Sequence, residues 1–297
     1  MAFEGVSLIF CPYHVGIRDY GVGKGPHKLR SMGLEWELMD LGLDVEVREI
    51  GDVDEFEGEI GRSFKLIRRV SVAVTEIVAE NRFPLILAGN CMTTAGVACG
   101  LKIRDLGFIY FDAHDDLNSP DVIESGYFDS MGLSCLRGES WKALMSTVPG
   151  FRPFNYDKFL YIGLRDQTEI QMKRVESAGM DQIRGDVNKK VDFLAELEER
   201  LDEKAYSPSL VHLDMDVLDE AYGKVNKYSC PGGMYESDLV DCMRLVATRT
   251  SPQALTVCSF DPEMGDSYKI ATIAIRALTA FFEQLLSTNS IRLSKHE

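Results

Sequence analysis

The stretch Gly107-Phe-Ile-Tyr-Phe-Asp112-Ala-His114-Asp115-Asp116-Leu-Asn118-Ser-Pro120 constrains this chain more than any other. It begins as a short apolar run, the pattern of a strand buried on both faces. The run then breaks into three carboxylates and an imidazole. A strand interior does not tolerate that density of charge. The cluster therefore belongs at the strand's carboxyl end, where open α/β sheets bind their ligands. Asp112, His114 and Asp116 recur at i, i+2 and i+4, and an extended backbone would aim all three one way. Such a set repels itself without a cation, which makes it a candidate metal site.

A second cluster lies a hundred residues on. In Val211-His212-Leu213-Asp214-Met215-Asp216-Val217 the apolar side chains face one way, and His212, Asp214 and Asp216 the other. Alone, the segment reads equally well as a half-exposed antiparallel strand with a solvated acidic face. Paired with the first cluster, it favours a shared cation, because buried carboxylates need compensation.

Strand patterns alternate with helix patterns along the rest of the chain. Strands are expected at 5–11, 44–50 (one wet side, an edge), 84–88, 107–111, 159–163, around 183, 211–217 and 254–260. Helices are expected at 26–42, 63–81, 92–101, 167–179, 189–204, 237–248 with Ser237 as cap, and 266–287. The helix at 92–101 is rich in small residues and suited to close packing on a sheet. The segments 51–61 and 113–140 read as loops, the second long enough to be functional, and the tail from 289 is polar. The alternation predicts one α/β domain over 1–297, a three-layer αβα sandwich around a doubly wound, mainly parallel sheet. In such a sheet the polar segments at 89–91, 112–116, 163–166, 214–216 and 261 share one edge.

The charge balance bounds the partners. A net charge of −15 tells against nucleic acid and against an anionic membrane. Seven cysteines with no CxxC pair point to reduced thiols and a cytoplasmic location. Cys11, Cys99 and Cys258 read as small buried hydrophobes, and Cys230 as an inert thiol. The first residues carry no signal-peptide pattern, and no run reaches transmembrane length. His14 reads as a surface imidazole in preference to a pocket residue. His212 reads as either a satisfied core histidine or a neighbour of metal ligands. His27 and His296 read as solvated.

With these motifs the chain resembles the arginase/agmatinase (ureohydrolase) family. Asp112-Ala-His114-Asp115-Asp116 is similar to the family's Asp-Ala-His-x-Asp signature, and Asp214-Met-Asp216-Val-Leu-Asp219 to its Asp-x-Asp-x-x-Asp signature. Gly25-Pro26 resembles the early Gly-Pro, Gly89-Asn90-Cys91 stands in place of Gly-Asp-His, and Gly163-Leu-Arg-Asp166 resembles Gly-x-Arg-Asp. The resemblance implies an arginase-like fold, often assembled as trimers or hexamers. It implies hydrolysis of a guanidino or amidino carbon by a metal-bridging hydroxide, with two divalent ions, manganese expected. Asp112 and Asp214 would bridge them, with Cys91 and Asp116 completing one site and His114 and Asp216 the other. Asp116, Asp129 and Asp261 are the implied catalytic carboxylates. Asn118 and Ser125 match positions that bind a substrate carboxylate, Asp166 one that binds an amino group, and Asp261 one that grips the guanidinium.

Four departures qualify that implication. Cys91 replaces a histidine ligand, which should weaken that site for manganese or turn it towards a softer metal. Asp129 stands where arginases carry a proton-shuttling histidine. Asp261 is one methylene shorter than the family's glutamate. Glu220 replaces a proline, and the longer loop that follows alters the rim near Tyr228 to Pro231. The run from His114 through Asn118, Pro120, Ser125 and Tyr127 to Met131 and Ser134 is more similar to the branch acting on Nω-hydroxy-arginine. Two other readings stay open: a non-catalytic scaffold with a reduced metal site, and hydrolysis of a formimino or agmatine-type amidine.

Overall fold

The computed structural model describes residues 2–54 and 57–294; His296, part of the tail and positions 55–56 of the loop at 51–61 lie outside the described residues. Eight strands form one sheet: β1 Val6–Cys11, β2 Val45–Glu49, β3 Phe83–Ala88, β4 Gly107–Phe111, β5 Phe159–Leu164, β6 Asp181–Arg184, β7 Ser209–Asp214 and β8 Pro252–Cys258. Their order across the sheet is β2-β1-β3-β8-β7-β4-β5-β6, and every neighbouring pair is parallel. The six inner strands are buried along nearly their whole length, which explains their continuous apolar runs. Strand β2 lies at the edge as expected, but it is partly exposed along its length and its burial does not alternate.

Helices cover both faces and make three layers. One core holds α1 Gly25–Ser31, α2 Leu34–Asp40, α8 Phe193–Glu203, α9 Glu236–Arg249 and α10 Ser267–Ser287. The other holds α3 Glu59–Ala79, α4 Thr93–Leu101, α5 Gly132–Leu136, α6 Lys142–Met145 and α7 Glu169–Ser177. Helix α10 is long and apolar enough to cross a membrane by composition, contrary to the expectation from sequence. Its Ile270, Ala274, Leu278, Phe281 and Leu285 nevertheless pack in the first core.

Several expected elements change shape. The single helix over 26–42 is two, split at Gly33, whose φ of 97° lies outside the helical range. The small residues of α4 serve α3 as well as the sheet. A Cβ on Gly100 would stand 2.6 Å from the Ser71 carbonyl oxygen, and one on Gly96 2.6 Å from that of Ile67. Ser237 lies inside α9, which Tyr235 caps. The expected strand at 211–217 ends at Asp214, and Met215–Val217 turn as a 3-10 helix. The excursion 113–140 contains a 3-10 turn at Phe128–Met131 and helix α5, with much of its chain buried. His27 is half-buried and stacks on Phe10.

Candidate metal centre

Strands β3, β8, β7 and β4 are consecutive across the sheet, and their carboxyl ends deliver Cys91, Cys258, Asp214 and Asp112 to one place. This is the crevice in which α/β sheets bind ligands. Asp112, Asp116, Asp214 and Asp216 are all buried. The strand β7 segment is thus no solvated acidic face.

Two sets of ligand atoms converge. Those of Cys91, Asp112, His212 and Asp214 lie within 4.8 Å of one another, as do those of Asp112, His114 and Asp216. Asp112 belongs to both. His114 Nδ1 is 3.4 Å from Asp112 Oδ1 and 3.4 Å from Asp216 Oδ2. Cys91 Sγ donates to Asp214 Oδ2 at 2.9 Å.

Asp116 lines the same cavity but belongs to neither set. The chain is not extended there: Asp116 has φ 48°, and its Oδ2 accepts a hydrogen bond from Tyr110 Oη at 2.7 Å. The i, i+2, i+4 argument fails because the strand stops at Phe111 and its polar continuation turns.

The buried carboxylates perturb one another. Burial pushes Asp112 up to about 7, with His114 opposing and Asp216 reinforcing. Burial pushes Asp214 well above the usual carboxylate range, and Asp216 and Asp112 add to it. Asp116 rises likewise through burial, Asp112 and Asp129. Burial works against an ionised Asp216, yet His114 and Asn226 outweigh it and hold that carboxyl low. Burial also works against a charged His114, but Asp216, Asp112 and Asp166 push it well up. Burial lowers His212 to about 3, so it is neutral.

The donor set fits divalent cations. Asp112 Oδ2 and His212 Nε2 are buried with no hydrogen-bond partner, which is costly unless something else satisfies them. Among ion pairs between described residues, none joins a lysine or arginine to Asp112, Asp116 or Asp214. Carboxylates, imidazole and a thiol around such a charge deficit form a set of metal-ligand type.

Residues not foreseen from sequence hold the set in place. Asn226 Nδ2 donates to Asp216 Oδ2 at 2.9 Å. Arg165 donates to the carbonyls of Asp216, Leu218, Cys230 and Pro231, bracing the turn that carries Asp216. Thr94 and Thr256 hydroxyls meet His212 Nδ1 at 2.9 and 2.7 Å. Asp115 accepts from Gln167 Nε2 at 2.7 Å, tying the signature loop to the segment after β5.

A cavity of about 390 Å³ opens above the cluster. It is lined by Cys91, His114, Asp116, Asn118, Ser125, Asp129, Asp214, Asp216 and Asp261, all expected. His14 lines it too, its Nε2 3.2 Å from Tyr127 Oη, and is therefore not the surface imidazole expected. Lys227 sits over the rings of Tyr127 and Tyr228 at the same wall. Asp166 stands beside His114, 3.4 Å from its Nε2, and not on the cavity wall. Asp129 has both oxygens engaged: Oδ2 accepts from Asn90 Nδ2 at 2.5 Å and Oδ1 from Met92 N at 2.8 Å. It braces the Cys91 loop.

A model of the Arginase family matches residues 4–282. The chain is 25% identical to an arginase of Staphylococcus aureus over 95% of its own length and 98% of the relative's. It is 28% identical to an arginase of Eremothecium gossypii over 87% and 70%. Among solved structures, an Entamoeba histolytica arginase in complex with L-ornithine superposes with a TM-score of 0.84 at 19% identity, covering 95% of this chain and 99% of that one. The proclavaminate amidino hydrolase of Streptomyces clavuligerus superposes with a TM-score of 0.73 at 17% identity, covering 97% and 93%.

Proposed function

The chain belongs to the arginase family, and from that premise we propose that it hydrolyses the guanidino group of a small arginine-like amino acid, Nω-hydroxy-arginine foremost, breaking the bond between the guanidino carbon and the chain nitrogen to release ornithine with N-hydroxyurea, or with urea from arginine itself. The family's relatives make it a hydrolase of C–N bonds in linear amidines. The observation that carries the reading is the convergence of two ligand sets on Asp112 at the floor of a cavity whose walls carry Asn118, Ser125 and Asp261. Cys91, Asp112, Asp116, His114, Asp214 and Asp216 are the residues proposed to hold two divalent cations, with manganese expected at the His114 side. When bound, the cations supply Lewis-acid activation of water at neutral pH.

The chain's own groups orient the substrate. Asp261 offers a carboxylate to the cationic guanidinium. Asn118 and Ser125 offer hydrogen bonds to the substrate's carboxylate, with the ammonium of Lys227 on the same cavity lining. Asp166 lies off the cavity wall, beside His114, and would reach the substrate's amino group only from behind that imidazole. Tyr127, Tyr228 and Tyr20 exclude water around the chain's mouth.

Asp129 serves to position the Cys91 loop. Its carboxylate is spent on Asn90 and the Met92 N–H, so it is not free to protonate a strongly basic leaving amine. The seven free cysteines support a reducing, cytoplasmic setting.

The test is release of urea from arginine and agmatine, and of N-hydroxyurea with ornithine from Nω-hydroxy-arginine, by manganese-loaded protein. The hydroxy derivative should turn over fastest and agmatine slowest. Equal turnover of agmatine would remove the amino-acid end from the reading. No urea or N-hydroxyurea from any guanidino compound with any divalent ion would leave the non-catalytic scaffold.

A further inference from the structure

We propose that the inner of the two cation positions is a soft, sulfur-rich site, in which Cys258 and His212 join Cys91 and an oxygen of Asp112 or Asp214 around a thiophilic divalent cation of the zinc class. This rests on the reading above only in placing a cation beside Cys91.

Geometry brings the donors together. The ligand atoms of Cys91, His212 and Cys258 lie within 4.8 Å of one another, and all three residues are buried. Cys258 ends β8, His212 lies inside β7 and Cys91 follows the end of β3, three strands that are neighbours in the sheet, so two of the three donors stand on strand backbone. Cys258 is level with Asp214, and Thr256 with His212, in the β8–β7 register.

His212 has the arrangement of a ligand. Its Nδ1 is held by the hydroxyls of Thr94 and Thr256, and the Tyr110 ring stacks on it at 4.0 Å with 17° between planes. With Nδ1 donating to a hydroxyl, Nε2 presents its lone pair. That atom is fully buried and has no hydrogen-bond partner. Metal-ligating histidines characteristically fix their other nitrogen in this way. Asp112 Oδ2, equally unpartnered, lies 4.0 Å from it. A core histidine serving only as packing would have both nitrogens satisfied.

The chemistry then selects the ion. Two sulfurs, an imidazole and one carboxylate oxygen are the donors of tetrahedral zinc sites, and thiolates favour zinc over manganese. The other ligand set, with His114 and two carboxylates, keeps the harder donors that manganese takes.

The experiment is cobalt(II) titration of the chelator-stripped full-length protein, read by its sulfur-to-cobalt charge-transfer absorption, in wild type and Cys258→Ser. The wild-type band should saturate at one equivalent, and Cys258→Ser should lower it to about half, since the band counts thiolates. X-ray absorption at the zinc edge of the zinc-loaded wild type should show two sulfur neighbours, which keeps the test independent of how the variant folds. A full-strength band in Cys258→Ser, or one sulfur or none at zinc, would overturn the site. Urea release by manganese-loaded protein without any thiolate band would sink this site and leave the hydrolase reading standing. A two-thiolate band without urea release under any metal would do the reverse.

Discussion

The two halves of the cation cluster are built on different principles. On one half, Asp216 is held by His114, Asn226 and the Arg165-braced turn, and His114 reaches towards solvent with a quarter of its side chain exposed. Its charges are already partly balanced. On the other, Cys91, His212 and Asp214 are buried, Cys91 and Asp214 at the cavity floor, with two threonine hydroxyls and a stacked tyrosine around the imidazole. That half has unpartnered polar atoms and no balancing arginine or lysine ion pair between described residues. Because His114 Nε2 on the first half also lacks a hydrogen-bond partner, the difference that remains is one of charge: Asp216 has His114 beside it, and Asp214 has no such partner.

The residue shared by both halves is the place to break the contrast. Asp112→Asn should abolish binding of both cations and lower urea release by on the order of 10³-fold or more. Metal content per chain and steady-state rates would check it; retention of either ion at wild-type affinity would mean that the halves do not share Asp112.

Supporting residues should separate the halves. Asn226→Ala, which removes the donor to Asp216 and one to the Ser259 carbonyl but touches no thiol, should weaken manganese by roughly 10–100-fold and leave the cobalt thiolate band largely intact. Thr94→Val, whose hydroxyl meets His212 and Thr256, should perturb the cobalt spectrum and weaken that ion by a similar factor. Parallel titrations of the two variants decide the matter, and identical losses in both would erase the distinction.

The smallest effect is a sign. Asp112 is raised to about 7, and Asp116 and Asp214 well above the ordinary range, by burial first. Between the unfolded carboxylate value of about 4 and the folded values, the native state binds more protons than the unfolded one. The stability of chelated protein should therefore fall as pH rises from 5 to 8. Asp216, held low, contributes in the opposite sense and loses its contribution only in acid. Melting temperatures of chelated and metal-loaded protein across that range would show it, with loading removing the slope; a chelated protein that gains stability towards pH 8 would contradict the charge deficit.

Much of this was legible in the chain. Inner strands announce themselves because both faces are buried, which demands consecutive apolar residues. The two acidic signatures stand out because such charge cannot sit inside a strand. Local backbone was less legible. Gly33 splits a helix whose apolar period runs through it, and Asp216 leaves its strand although the alternation continues. His14 reached the cavity through a contact with Tyr127, 113 residues away.

The sequence by itself determined the fold class, the edge of the sheet on which chemistry occurs and the carboxylates that gather there, because periodicity and charge density are local properties. Tertiary structure alone decided which donors meet. The order β3-β8-β7-β4 sets Cys91, Cys258, His212 and Asp112 side by side, although nothing near Cys258 in the chain distinguishes it from an ordinary core residue and the sequence left His212 equally readable as one. Strand order is chosen by how helices of both layers cover the sheet, a property of the whole chain, and it is what turned a histidine and a buried thiol into candidate ligands.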